Sequence, residues 1–145
     1  MAITTAMCNS FKQELLGGVH DLDTDSLKVA LIKVSPSGTY GAATTNYSDI
    51  TGASDEATGT NYTAGGQILD SATITLSGNT VFVDFADEVF SNLTISVDGA
   101  IIYNSSQGNK AIATFDFGGT VTSTSGDFTI VFPTADSSNA VIRIS

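Results

Sequence analysis

Residues 93–104 read LTISVDGAIIYN, and this stretch decides the fold class. Leu93, Ile95 and Val97 fall on one side of an extended chain, Thr94 and Ser96 on the other. A period of two marks a strand with one buried face. An Asp98-Gly99 pair then precedes a second apolar run, Ala100 to Tyr103. Asp-Gly between two such runs is the usual signal of a two-residue primed turn, so the stretch predicts a β-hairpin reversing at residues 98–99.

The alternation continues on both sides. Ala72, Ile74 and Leu76 alternate with Thr73 and Thr75, Ser77-Gly78-Asn79 reads as a turn, and Val81, Val83 and Phe85 alternate with Phe82 and Asp84. Segment 86–92 interrupts the pattern. A turn is predicted over 105–109, with Asn104 placed to bond into it. Ala111, Ala113, Phe115 and Phe117 share the next face, and Gly118-Gly119 breaks that strand. A weaker Thr/Val strand over 120–124, a turn at Ser125-Gly126 and a strand through Phe128, Ile130 and Phe132 follow, ended by Pro133. Ile142 and Ile144 alternate with Arg143 and pin the C-terminal segment into a sheet.

Before the central stretch, residues 27–34 read LKVALIKV and are apolar on both faces, as in an inner or helix-covered strand. Thr4 or Thr5 is placed to cap a helix over about 5–16. Met7, Phe11 and Leu15 share a face of it, Cys8 lies beside them, and Gly17-Gly18 ends it. Three turns are marginal alone, so the Phe11 stripe docks on the sheet or on a neighbouring subunit. Residues 35–66 form an irregular excursion whose large aromatics are Tyr40, Tyr47 and Tyr62. About thirty structureless residues would be long for a compact domain. The three tyrosines either pin their own loop or present a contact surface to a neighbour.

This yields eight or nine strands and one short helix, with no helical spacers between the later strands. The expectation is a single all-β domain over 1–145: an antiparallel β-sandwich, jelly-roll-like, or a partly closed barrel.

Fifteen acidic against five basic residues give a net charge of -10, which disfavours a nucleic-acid backbone or an anionic membrane as partner. Only 14% of residues are charged, and Ser, Thr, Gly and Asn supply most of the polar surface. The single Cys8 precludes an intrachain disulfide. The opening MAITTAMC lacks a basic, then apolar, leader, and no apolar run approaches spanning length. Synthesis in a reducing cytoplasm is expected.

The chemistry-bearing residues do not converge. Asp21, Asp23 and Asp25 alternate and offer carboxylates to a hard cation, but the EF-hand glycine and terminal Glu are missing, so a polar connector is the plainer reading. His20 is the sole histidine and no GxSxG elbow accompanies it. Cys8 lacks a second thiol. Asp84 and Glu88 are close in sequence, which is no sign of a glycosidase pair. Thr63-Ala64-Gly65-Gly66 lacks the P-loop lysine. No catalytic residue, cofactor, metal or small-molecule substrate is predicted.

Six strings run in order through nearly the whole chain: CNSFKQELL at 8–16, LKVALIKV at 27–34, YTAGG at 62–66, DGAIIYN at 98–104, FDFGG at 115–119 and GDFTIVFP at 126–133. Together they resemble a family of small virion proteins of tailed bacteriophages, particularly phages of marine bacteria, cyanobacterial ones included. The resemblance implies a non-enzymatic structural protein on the capsid exterior, of the decoration or cement kind. Its partners would be the major capsid protein and copies of itself, a homotrimer if it sits at threefold positions between capsomers. It would be assembled in the host cytoplasm and reside in the virion. The alternatives are a tail or neck adaptor, or a receptor- or carbohydrate-binding virion module. The family pattern has a Trp near 88–92, where this chain has Phe90.

Overall fold

The computed structural model describes residues 2–70 and 72–145. In chain order these form β1 (Ala2–Ile3), β2 (Ala6–Met7), α1 (Asn9–Leu16), β3 (Leu27–Lys33), β4 (Thr39–Tyr40) and α2 (Ser48–Gly52). Then follow β5 (Gln67–Ile68), β6 (Thr73–Ser77), β7 (Thr80–Asp84), β8 (Glu88–Asn104), a 3-10 turn at Ser105–Gln107, β9 (Lys110–Ile130) and β10 (Ile142–Ile144). With 48% of the chain in strands and 11% in helices, the fold is mostly β. A five-stranded antiparallel sheet runs β2-β9-β8-β3-β5, a three-stranded antiparallel sheet runs β10-β7-β6, and β1 pairs with β4 in parallel. None of these sheets closes on itself.

The stretch that signals the β fold is a strand, as its alternation predicts, but it does not reverse at Asp98-Gly99. Residues 93–104 lie within one 17-residue strand, β8, which pairs along its length with the 21-residue β9. A primed turn needs positive φ, and neither Asp98 nor Gly99 has it. Gly99 serves close approach instead: a Cβ there would stand 2.3 Å from the Phe115 carbonyl oxygen and 2.8 Å from Ile3 Cδ1. Asp98 Oδ2 accepts the Ser35 N–H at 2.9 Å, and its Oδ1 accepts the Thr120 hydroxyl at 2.6 Å. The reversal falls at 105–109, where Asn104 Oδ1 accepts the Ser106 N–H at 3.0 Å and Gly108 and Asn109 take left-handed φ of 66° and 62°.

The expected breaks at Gly118-Gly119 and Ser125-Gly126 are also irregularities within one strand. The β8–β9 register steps between Val97 and Gly99, opposite Val121 and Asp116, so β9 carries the extra residues there. A second step opposes Leu93–Ile95 to 123–126, where Ser125 has φ 47°. Extra residues absorbed as bulges bend and twist a long ribbon without ending it. Hence several predicted strands merge into two.

The helix begins at Asn9, later than the expected residue 5, and Thr4 and Thr5 do not cap it. Sheet bonding claims the preceding residues. Thr4 N–H donates to Tyr40 O at 2.8 Å, Thr114 Oγ1 donates to Thr4 O at 2.7 Å, and Asp116 N–H donates to Thr5 Oγ1 at 2.9 Å. Met7 pairs with Ala113 in the sheet, so it leaves the helical stripe. The helix ends as predicted: Gly18 has φ 75° and Val19 N–H reaches Glu14 O at 2.9 Å.

β3 is an inner strand between β8 and β5, as its two apolar faces require, and its five apolar residues are buried. Around it lie Phe11, Ile50, Phe90, Leu93, Ile101, Ile102 and Ile112, all wholly or almost wholly buried. Phe90 tilts against Tyr62 and meets Phe128 edge-on. Phe11 is therefore a core residue of its own chain, and the helix docks on its own sheet. Burying each such side chain contributes roughly 1.5–3 kcal/mol relative to exposure.

Candidate interaction surface

The 35–66 excursion is ordered by two carboxylates that adjoin in sequence, Asp55 and Glu56. Asp55 is wholly buried. It accepts the Ser37 N–H at 2.9 Å, the Gly38 N–H at 2.7 Å and the Tyr40 hydroxyl at 2.6 Å, with the Lys33 ammonium at 2.8 Å. Burial alone would raise its carboxyl, but the donors from Lys33, Tyr40, Ser37 and Gly38 outweigh it and hold the group well below the usual carboxylate range. The Tyr40 hydroxyl is pushed up by burial and by the same carboxylate.

Glu56 gathers the other two tyrosines. Tyr47 donates to its Oε2 at 2.5 Å, Tyr62 to its Oε1 at 2.9 Å, and the Gly65 N–H to Oε1 at 2.6 Å. The Tyr62 hydroxyl also accepts the Leu31 N–H at 2.9 Å, tying the excursion to β3. Tyr47 stacks on Tyr103 at 4.5 Å, and Tyr103 donates to Gly65 O at 2.6 Å. Burial, followed by Glu56, pushes the Tyr103 hydroxyl up to about 12. The three tyrosines singled out by sequence thus spend their hydroxyls inside the chain, and Tyr40 is buried outright. They brace their own loop. Asp55 and Glu56 gave no sequence signal beyond an acidic pair in a polar run.

The remaining sequence candidates are dispersed or structural. Asp21, Asp23 and Asp25 lie in a turn closed by Asp25 N–H to Asp21 O at 2.8 Å, so they do not alternate as on a strand. Asp25 Oδ2 turns inward to Asn104 Nδ2 at 2.7 Å and to the Asp21 N–H at 3.0 Å. No cluster of His, Cys, Asp or Glu among the described residues is arranged to hold a metal ion. His20 is buried, its ring 5.0 Å from Phe11. Cys8 is buried with its thiol pushed up to about 11, by burial first and Asp49 second, which leaves little thiolate to react. Asp84 ends β7 in one sheet and Glu88 opens β8 in the other.

What the surface does offer is aliphatic. In the three-stranded sheet the register aligns Ile142, Val83 and Ile74 in one row and Ile144, Val81 and Leu76 in the next. Side chains in such rows share a face. Val83 and Ile142 are buried, but Ile74 is 49%, Leu76 70% and Ile144 51% exposed. With Leu15, His20 and Leu22, five of these residues, all but Leu76, line an open cleft of about 360 Å³. The alternation that reveals these residues reads the same for core and for open face, so sequence alone did not separate them.

Comparison with known protein families, curated proteins and solved structures finds no match to this chain. Among the described residues no helix is long and apolar enough to cross a membrane.

Proposed function

We propose that this chain is a non-enzymatic structural protein of a tailed-bacteriophage virion, a decoration or cement protein that binds the outer capsid shell and stabilises it by protein–protein contacts. Its partners are the major capsid protein and further copies of itself. In this reading the three- and five-stranded sheets act as the two layers of an antiparallel sandwich.

The reading draws on the six strings that resemble phage virion proteins. They fall on α1, β3, β8, β9 and the Tyr62–Gly66 buttress, and none of them falls on the three-stranded sheet. The structural observation that carries it is the aliphatic face of the three-stranded sheet, whose Ile74, Leu76 and Ile144 stay exposed beside a surface poor in charge. Apolar contact without charge suits a protein packed among neighbours on a shell.

The test is addition of the purified chain to expanded, undecorated capsids of the parent phage. Co-sedimentation with the shells and a raised capsid disruption temperature are expected. Absence of both rejects the reading.

A further inference from the structure

Sheet edges present unpaired backbone groups, and proteins usually blunt them by shortness, lysine, proline or a bulge. The five-stranded sheet ends at β2 and β5, two residues each. The three-stranded sheet ends on one side at β6, five residues reading TITLS, every one of them exposed. This edge has no lysine, no proline and no bulge. Among the described residues no other segment pairs along it.

The hairpin fixes which groups point outward. Ser77 opposes Thr80 across Gly78-Asn79, with Gly78 at φ 60°. The closing pair of a two-residue hairpin is hydrogen-bonded, and bonded pairs then alternate along the ladder. Thr73, Thr75 and Ser77 therefore turn their N–H and C=O groups toward β7. Ile74 and Leu76 turn theirs outward.

We propose that β6 pairs antiparallel with β6 of a second copy, about a twofold axis through Thr75. In this register Thr73 faces the partner's Ser77, Thr75 faces the partner's Thr75, and Ile74 faces the partner's Leu76. The outward backbone groups of Ile74 and Leu76 are those that a bonded antiparallel pair exchanges. Apolar then meets apolar and polar meets polar, whereas a one-residue slip would put Ile74 on the polar face. The row Ile142–Val83–Ile74 continues into the partner's Leu76, Val81 and Ile144, so the aliphatic face doubles across six strands. The occupant is a second copy because the strand is its own complement in pattern and in bonding. Charge permits it: in a chain of net charge -10, residues 72–83 carry no charged side chain. Such a contact is isologous and closes as a dimer, in contrast to a threefold assembly. It holds whether or not the chain is a virion protein.

The register is tested in the full chain by cysteine placement. Thr75 faces its counterpart as a non-bonded pair with Cα atoms about 4.5 Å apart, within disulfide reach. Cys8 is wholly buried and does not compete. Under mild oxidation Thr75→Cys is expected to give a disulfide-linked dimer, and Ser77→Cys alone is not, since its opposite residue is Thr73. By sedimentation equilibrium the unmodified chain is expected to dimerise. Ile74→Lys with Leu76→Lys sets like charges face to face and is expected to weaken dimerisation by about 100-fold with an unchanged circular dichroism spectrum. Ile74→Lys with Leu76→Glu sets opposite charges face to face and restores much of it. The proposal is overturned by a chain that stays monomeric at its highest soluble concentration. Equal cross-linking of the two cysteine variants, or a dimer indifferent to the double lysine change, overturns it as well.

Discussion

The Lys33 ammonium stands 2.8 Å from the Asp55 carboxylate, and the two sit in opposite surroundings: the aspartate side chain is closed off from solvent, the lysine side chain is 38% exposed. The pair is therefore asymmetric. Lys33 can turn to water if Asp55 is removed, whereas the buried Tyr40 cannot, and its hydroxyl would lose the acceptor it holds at 2.6 Å. Such a loss costs roughly 1–3 kcal/mol. Asp55→Ala is expected to destabilise the fold by about 3–5 kcal/mol in urea unfolding, and Lys33→Met by less. Equal losses would refute the assignment of Asp55 as the hub of residues 35–55.

The same carboxylate sets an acid limit. Its folded-state pKa is depressed, so its contribution is full above the unfolded value near about 4 and fades as pH falls through the lower folded value. Thermal unfolding of Asp55→Asn measured against pH is expected to lack the part of the acid slope below about pH 4 that the parent chain has. Parallel slopes would contradict this.

His20 works in the opposite direction. Asn104 Oδ1 is held by Ser106 N–H and its Nδ2 by Asp25, so Nδ2 also donates to His20 Nδ1 at 3.0 Å. His20 is then neutral, with its proton on Nε2, which faces Glu14 Oε2 at 3.8 Å. Glu14 is meanwhile paired with Lys110 at 3.2 Å. Burial first lowers the His20 pKa, against the raising pull of Glu14 and Asp25. Because the unfolded chain binds the proton more readily, stability is full above about pH 6.5 and falls as pH drops from there toward the folded value. Urea midpoints between pH 7 and 5 are expected to decline for the parent chain and to flatten for His20→Gln. A decline unchanged by the substitution would remove His20 from the account.

Gly99 and Phe11 separate close approach from contact with a partner. Gly99→Ala would drive a methyl into the Phe115 carbonyl and is expected to cost roughly 1–3 kcal/mol as an overpacking change. A hairpin turn with positive φ at that residue would instead be exposed and would tolerate asparagine. Phe11→Ala is expected to cost about 3–5 kcal/mol in the isolated chain. An effect seen only in an assembly would place Phe11 at an interface.

The strands were legible because alternation is local. Leu93, Ile95 and Val97 declare their face without reference to anything distant, and the two apolar faces of residues 27–34 declare an inner strand. Asn104 and the 105–109 turn were legible for the same reason. Asp98-Gly99 misled because glycine serves two purposes: here it admits the Phe115 carbonyl, a residue brought near only by tertiary pairing. Thr4 and Thr5 misled because a capping residue is equally able to serve a sheet. The tyrosine alternatives stayed open until Asp55 and Glu56 were placed, since nothing in the run GASDEATG announces an acceptor for three hydroxyls. The exposed Ile74, Leu76 and Ile144, which share a face, were hidden by their likeness to a core pattern. Exposure depends on which strand lies at an edge, and strand order is not written in any single segment.

The central claim, a structural place on the capsid exterior, is tested most directly by locating the chain and counting its copies in purified particles by cryo-electron microscopy with quantitative mass spectrometry. Many copies are expected, ordered by the icosahedral lattice and seated on the outer face of the major capsid protein. A small ring of copies confined to the portal vertex or tail, or absence from the particle, would contradict it.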